Sequence, residues 1–291
     1  MHKNKSEIKA REKNKSTGRF CTELIVQNVA RTSDSKASSR VAKVIARAGL
    51  CSRREAEQII VEGRVFINDV KILSPAVNVS PGDKITVDGK PLPKREEVAL
   101  WRYYKPRGLV TTHRDPQGRP TVFANLPTEL PRVLSIGRLD FNSEGLLLLT
   151  TDGGLARHLE LPSTGWRRRY RVRAYGRVTQ DKLTTLQDGL EVDGVHYGSI
   201  EATLDSTQGG NCWISIGLRE GRNREIRKIL TTFGLQVNRL IRVSFGPFQL
   251  LDLKPGQVAV VKRRVLADQL GADLAATFGL KVPSTISSSI T

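Results

Sequence analysis

The alternation of apolar and polar positions is most informative between residues 133 and 153. Two apolar runs, residues 133–136 and 146–149, flank a polar segment with a single aspartate, Asp140. Short apolar runs bounded by glycine and turn formers are typical of buried strands. The pattern therefore predicts a tight loop that the core holds at both ends. A carboxylate there has a fixed position, and Arg138 is close enough in sequence to hold it as an anion. An aspartate that only caps a turn is the alternative.

Residues 39–95 are predicted to form a compact unit of two helices and short strands. Apolar residues at helical spacing end at Gly49, and Ser52 and Glu55 have the capping-box spacing at the start of a second helix. Alternating residues 65–69 and 84–89 predict strands. Basic residues cluster around the helix pair and the first strand, with almost no acids to offset them: Arg40, Lys43, Arg53, Arg54 and Arg64. The cluster indicates a polyanion-binding face, with a solvated helix face as the alternative.

Residues 96–264 mix many short strands with few helices, which predicts a mixed, mostly antiparallel α+β domain. The strands are predicted at residues 99–104, 167–175, 195–204, 212–218, 239–245 and 257–262, and the helices at residues 155–161, 179–188 and 223–234. Residues 1–38 are predicted to be a basic, mostly disordered tail. Residues 265–291 are predicted to form a weak helix and a flexible, frayed tail.

The charge of the chain points to a nucleic acid. Its 291 residues include 47 Lys and Arg against 29 Asp and Glu, a formal net charge of +18. Each basic side chain that meets a phosphate releases a counterion, so such an excess favours a polyanionic partner. Nucleic acid is favoured over a membrane surface, because no basic amphipathic helix with an aromatic face is visible. No apolar run approaches the length of a membrane span.

The cysteine and histidine pattern argues against a metal site. Cys21, Cys51 and Cys212 are isolated, and the four histidines are scattered. A disulfide framework and a zinc site are therefore not expected, and a reducing cytoplasm suits the chain. The polar, Lys-rich start is not a secretory signal. The sequence contains neither a Gly-rich dinucleotide turn nor a P-loop, which weighs against a methyltransferase, a helicase or a kinase.

Two resemblances add to this interpretation. The phrases ARAGLCSRREAEQIIVEGRVFIN and VSPGDKITVDGKPL resemble the S-four-type RNA-binding domain, which implies a module that grips structured RNA by shape and phosphate contacts. The phrases GRLDFNSEGLLLLTTDG, RRRYRV and EGRNREIRKIL followed by VNRLIRVSFG resemble the three signature segments of the RsuA/RluB/RluE/RluF family of ribosomal-RNA pseudouridine synthases. The third segment is similar to the RluB branch, which acts on large-subunit ribosomal RNA.

The second resemblance implies isomerisation of a flipped-out uridine, and it assigns roles to residues. Asp140 would act at the sugar as nucleophile or as base, and the sequence does not choose between these routes. Tyr170 would stack on the uracil. Arg227 would be the guanidinium that pairs with the carboxylate and keeps it ionised.

The expected substrate-binding residues are Arg138, Leu139 and Ile226, with Arg138 on a phosphate and Ile226 as apolar support. The reaction is redox-neutral, so no cofactor or metal is expected. The expected partner is ribosomal RNA, and the protein is expected to be a cytoplasmic monomer. A non-catalytic RNA-binding or ribosome-assembly factor is the alternative function, although it leaves Asp140 inside a full signature unexplained.

Overall fold

The computed structural model of the chain describes residues 38–280. The predicted basic tail therefore lies outside the described residues, apart from residue 38. The N-terminal unit, residues 38–95, has the following elements: β1 Ser39–Arg40, α1 Val41–Arg47, α2 Arg53–Val61, β2 Val65–Ile67, β3 Val70–Ile72, β4 Asn78–Val79, β5 Ile85–Val87 and β6 Lys90–Pro91. Strands β3, β2, β5 and β6 form one small sheet, and β1 pairs with β4.

The two helices of this unit form where the sequence predicts them. The Ser52 hydroxyl accepts from the Glu55 backbone N–H at 3.2 Å, and the Glu55 carboxylate accepts from the Ser52 N–H at 2.7 Å. This reciprocal pair is the predicted capping box, and it satisfies two backbone donors at the start of α2. Fully buried Val41, Ile45 and Ile60 pack the helices on the small sheet.

The large unit, residues 96–280, is built on one nine-stranded sheet. Its elements are β7 Leu100–Lys105, β8 Leu134–Ile136, β9 Glu144–Thr150, α3 Gly153–Glu160, β10 Arg168–Tyr175, α4 Gln180–Thr184, β11 Leu190–Val192, β12 Val195–Tyr197, β13 Glu201–Gln208, β14 Asn211–Leu218, α5 Glu225–Thr232, β15 Gln236–Phe245, β16 Phe248–Gln249, β17 Val258–Val260, α6 Arg263–Leu270 and α7 Ala272–Thr277. The strand order is β13-β14-β10-β15-β9-β7-β17, with β16 on β15 and β8 on β9. The predicted mixed, mostly antiparallel α+β class is confirmed.

Strand β9 lies inside this sheet, between β15 and β7, and all seven of its residues are buried. It pairs antiparallel with β8 and with β7, and it runs parallel to β15. At the parallel pairing Gly145 has a φ of +101°, and a side chain there would collide with the Arg242 carbonyl. Glycine is therefore required where the polar loop enters the strand. The loop before β9 is anchored at both ends, as predicted.

Two sequence predictions need correction. Residues 195–204 do not form one strand, because β12 turns back on β11 while β13 pairs with β14. The C-terminal helices are not frayed within the described residues. Helix α6 begins at Arg263, so the predicted domain boundary at residue 264 falls inside it. Leu266 and Ala275 are fully buried in the core of the large unit.

A buried carboxylate connects the two units. Asp152 is 2% exposed and caps α3 by accepting from the Gly154 and Leu155 N–H groups at 2.7 and 2.9 Å. The same carboxylate pairs with Arg95 at 2.5 Å and with Arg47 at 3.6 Å. Burial works to raise the pKa of Asp152, but these hydrogen bonds and guanidinium groups hold it below its usual value. The N-terminal unit is thus tied to the C-terminal end of β9, whereas the loop of Asp140 enters the N-terminal end of that strand.

No helix within residues 38–280 has the length and apolar character needed to cross a bilayer.

Candidate active site

The loop that carries Asp140 is held from beneath by a buried lysine. Lys105, at the end of β7, is 0% exposed. Its ammonium donates to the carbonyls of Pro106 at 3.0 Å, Asp140 at 3.2 Å and Ser143 at 2.9 Å. Burial lowers the pKa of Lys105 to about 8, while the nearby Asp140 and Glu144 carboxylates oppose that shift. One side chain therefore fixes both ends of the turn.

Two further side chains hold the same loop through its main chain. The Thr111 hydroxyl donates to the Leu139 carbonyl at 2.9 Å and accepts from the Leu139 N–H at 3.3 Å. From α5, Arg227 donates to the carbonyls of Asn142 at 3.1 Å and of Val237 at 3.0 Å. The loop is thereby fastened to β7, to α5 and to the segment after β7.

The carboxylate of Asp140 is left free by these contacts. It is half-buried, and it forms no hydrogen bond or ion pair with any described residue. The expected ion pair with Arg227 is absent, because that guanidinium is directed at backbone carbonyls and its buried Nε has no partner among the described residues. Arg138 is exposed and does not pair with Asp140 either.

The free carboxylate faces a cavity of about 1310 Å³. Four other residues predicted for the catalytic and substrate-binding site line the same cavity: Arg138, Leu139, Tyr170 and Ile226. Tyr170 lies early in β10, half-buried against the apolar clusters on both sides of it. Ile226 and Leu139 are 5% and 6% exposed. Residues from three separate signature segments thus meet at one apolar-walled site.

Comparisons with known proteins identify the family to which this chain belongs. A family model described as RNA pseudouridylate synthase matches residues 99–232. An RNA pseudouridine synthase of Rickettsia felis is 49% identical over 227 residues, which are 78% of this chain and 98% of that protein. The chain belongs to the RNA pseudouridine synthases. The resemblance found in the sequence is confirmed, and so is the expectation of an enzyme.

Three further comparisons match the N-terminal unit, or most of the chain. An S4 domain model matches residues 39–85. Ribosomal large subunit pseudouridine synthase B of Salmonella typhi is 42% identical over 219 residues, 73% of this chain and 75% of that protein. The crystal structure of a pseudouridylate synthase, 25% identical in sequence, gives a TM-score of 0.54 and covers 77% of this chain and 96% of that chain.

Three basic residues of this synthase site were not predicted from the sequence. One is Lys105. It precedes a Pro-X-Gly segment, which predicts a turn and does not indicate a role for the lysine. The others are Arg168 and Arg242, which line the cavity with their guanidinium groups 4.7 and 5.2 Å from the centroid of the Phe245 ring. Arg242 is 3% exposed, and its buried Nη2 has no partner within the described residues. Burial also lowers the pKa of the Arg168 guanidinium. This desolvated cationic pair favours an anion in the cavity.

The basic residues of the N-terminal unit separate into two groups. Arg53 and Arg54, at the start of α2, are exposed and line the same cavity as Asp140. Arg40 and Lys43 are exposed outside it. The Arg64 guanidinium is exposed and pairs with Asp88 at 2.6 Å and with Glu62 at 3.0 Å. The sequence-based view that acids do not offset this cluster is therefore wrong at Arg64.

Proposed function

We propose that this synthase converts a specific uridine of large-subunit ribosomal RNA to pseudouridine. The name of the Salmonella relative at 42% identity supports this choice of RNA, as does the sequence of the third signature segment. We further propose that the enzyme acts as a cytoplasmic monomer. The free thiols of Cys51 and Cys212 suit a reducing compartment.

The single observation that carries the proposal is the Asp140 carboxylate, free of partners on a loop that three side chains hold by its backbone. In the isomerisation the bond from the uracil nitrogen to the anomeric carbon breaks, and the ring turns. A bond from C5 to the same carbon forms, the C5 proton leaves, and the nitrogen gains a proton. Asp140 acts either as nucleophile at the anomeric carbon or as base at the neighbouring carbon. Both roles need an ionised carboxylate within a partly dry cavity.

The surrounding residues take complementary roles. A flipped base loses its stacking partners, which costs a few kcal/mol, and an aromatic ring with apolar walls returns part of that energy. Tyr170 supplies the ring, and Leu139 and Ile226 supply the walls. Arg138 is exposed at the same cavity and meets a phosphate of the RNA. Arg227 acts as a positioning residue, because it contacts the Asn142 carbonyl rather than the carboxylate.

The test is a pseudouridine map of ribosomal RNA from four strains: wild type, a deletion, Asp140→Asn, and Asp268→Asn as a matched control at an exposed carboxylate of α6. We expect one large-subunit site to be lost in the deletion and in Asp140→Asn and kept in Asp268→Asn. If Asp140→Asn still installs the modification, the role of Asp140 is refuted. If the deletion loses no site, the non-catalytic RNA-binding function is favoured instead.

A further inference from the structure

A stacked aromatic pair occupies the wall of the cavity beside the active-site loop. The His113 and Phe123 rings lie 3.5 Å apart between centroids, with an interplanar angle of 13°. The loop between them is closed by backbone hydrogen bonds from Val110 to Pro120 at 3.0 Å and from Val122 to Val110 at 2.9 Å. The position of the pair is therefore set by the fold.

The pair presents one free aromatic face. Phe123 is half-buried and packs against the apolar cluster beneath Leu139, while His113 lies on top of it and is exposed. Both rings line the cavity that contains Asp140. Although part of the ring is exposed, the partial burial of the imidazole and then the Arg132 guanidinium lower the pKa of His113, with Glu55 opposing, so the imidazole is neutral at neutral pH. A neutral, exposed ring supported by a second ring is a surface on which a nucleobase stacks.

Guanidinium groups surround this surface. Arg114 and Arg132 of the large unit and Arg53 and Arg54 of α2 line the same cavity. Arg54, Arg114 and Arg132 form no ion pair with any described carboxylate, and Arg53 has only an exposed contact with Glu57 at 3.8 Å. Glu55, an acid beside these arginines, is committed to the capping box. The wall thus offers a stacking face and several unpaired cations.

We propose that the His113–Phe123 pair binds a second unpaired base of the RNA, while the target uridine occupies the site at Asp140 and Tyr170. The cavity supports two occupants, since its volume of about 1310 Å³ exceeds the roughly 300–1,000 Å³ of ordinary small-molecule sites. The arginines of both units would meet the phosphates that flank this base. The inference rests on the proposed function only for the identity of the RNA.

The test uses the full-length protein and a large-subunit ribosomal RNA transcript, with the dissociation constant measured at fixed salt. His113→Ala removes the stacking face and should weaken binding about tenfold, the order expected for one base–aromatic stack. His113→Phe should restore wild-type affinity. His113→Leu packs on Phe123 without an aromatic face and should remain weak. Equal affinity of His113→Ala and the wild type refutes the His113–Phe123 pair as a stacking platform for a base. Wild-type affinity of His113→Leu refutes this platform as well.

Two further measurements separate base stacking at the platform from phosphate binding and from the choice of RNA. The salt dependence of binding should be unchanged in His113→Ala, because a stacked base releases no counterion, whereas Arg132→Ala should reduce the slope by about 1. The wild type is also assayed for pseudouridine in the transcript. If it makes none while His113→Ala still weakens binding, the proposed choice of RNA fails and the platform stands. If it makes pseudouridine and His113→Ala binds normally, only the platform fails.

Discussion

Lys105 connects the sequence, the fold and the chemistry of this synthase most directly. Its ammonium is fully buried and donates to three backbone carbonyls around the Asp140 turn. Lys105→Met keeps the length and apolar stem of the side chain but removes all three donors. The substitution therefore tests whether the turn depends on this one cation.

The expected loss of stability follows from two opposing contributions. The Ser143 N–H still donates to the Asp140 carbonyl, so the substitution leaves the Pro106 and Ser143 carbonyls without a donor. Each unsatisfied acceptor costs about 1–3 kcal/mol, or about 4 kcal/mol for the two at the centre of that range. Removing a buried charge recovers free energy, and a fall in the pKa of Lys105 from 10.5 to about 8 corresponds to about 3 kcal/mol. The net loss is about 1 kcal/mol, which lowers the Tm by roughly 2–4 °C for a unit of this size.

The free energy of unfolding should change with pH in a direction that identifies Lys105 as the cause. Between pH 8 and 10.5 the unfolded chain holds a proton on Lys105 that the folded chain has released. The free energy of unfolding therefore rises with pH across this window by up to about 3 kcal/mol. Below pH 8 Lys105 makes no contribution that changes with pH. Turnover should fall in the same window, because a neutral amine has only two N–H donors for three carbonyls.

The assays are thermal and denaturant unfolding from pH 7 to 10.5, and tritium release from RNA labelled at uracil C5. Lys105→Met should lose about a hundredfold in turnover, the scale of an ångström-sized misplacement of a catalytic group. Lys254→Met, at an exposed site on the β16–β17 connection, is the control. A wild-type Tm in Lys105→Met, or a stability difference between the two proteins that does not grow above pH 8, would refute the reasoning.

Three other predictions use single substitutions. Arg227→Ala should lower kcat by about a hundredfold, because the turn loses an anchor, and leave the RNA dissociation constant unchanged; parallel loss of both would make it an RNA-binding residue. Burial raises the pKa of Glu225 at the start of α5, so the folded chain binds the extra proton and the ionised form is destabilising at pH 7. Glu225→Gln should therefore unfold at a higher temperature than the wild type at pH 7, with the gap closing on acidification; a constant gap contradicts this. Arg54→Ala should reduce the salt slope of RNA binding by about 1, whereas Arg64→Ala, which removes an ion-paired side chain, should leave the slope unchanged.

Features governed by neighbouring residues were predictable from the sequence. The capping box at Ser52 needs only a hydroxyl and a carboxylate three residues apart. The anchored loop at Asp140 follows from two apolar runs and the glycines around them. The resemblance brought Tyr170 and Ile226 to the same site, and the structure places both in its cavity.

Features that depend on distant contacts were not predictable. Lys105 and Ser143 are 38 positions apart, and no local pattern marks a lysine whose partners are carbonyls. The single strand predicted at residues 195–204 is a different case, because the apolar positions change phase between Tyr197 and Ile200, and β12 and β13 pair with different strands on either side of that change. The helix of Arg263 is buried only because the large unit covers its apolar face, which composition cannot show.

The missing ion pair between Arg227 and Asp140 bears on how the site works. A guanidinium bound directly to the carboxylate would have to release it before the oxygen could reach the sugar, and a charge-assisted hydrogen bond costs about 1.5–3 kcal/mol to break. The structure instead directs Lys105, Thr111 and Arg227 at backbone carbonyls of the turn. The two acceptor oxygens of the carboxylate therefore stay unused. A carboxylate fixed in position without being bound suits the role proposed for Asp140, as nucleophile or as base, because no protein contact must break as the reaction begins.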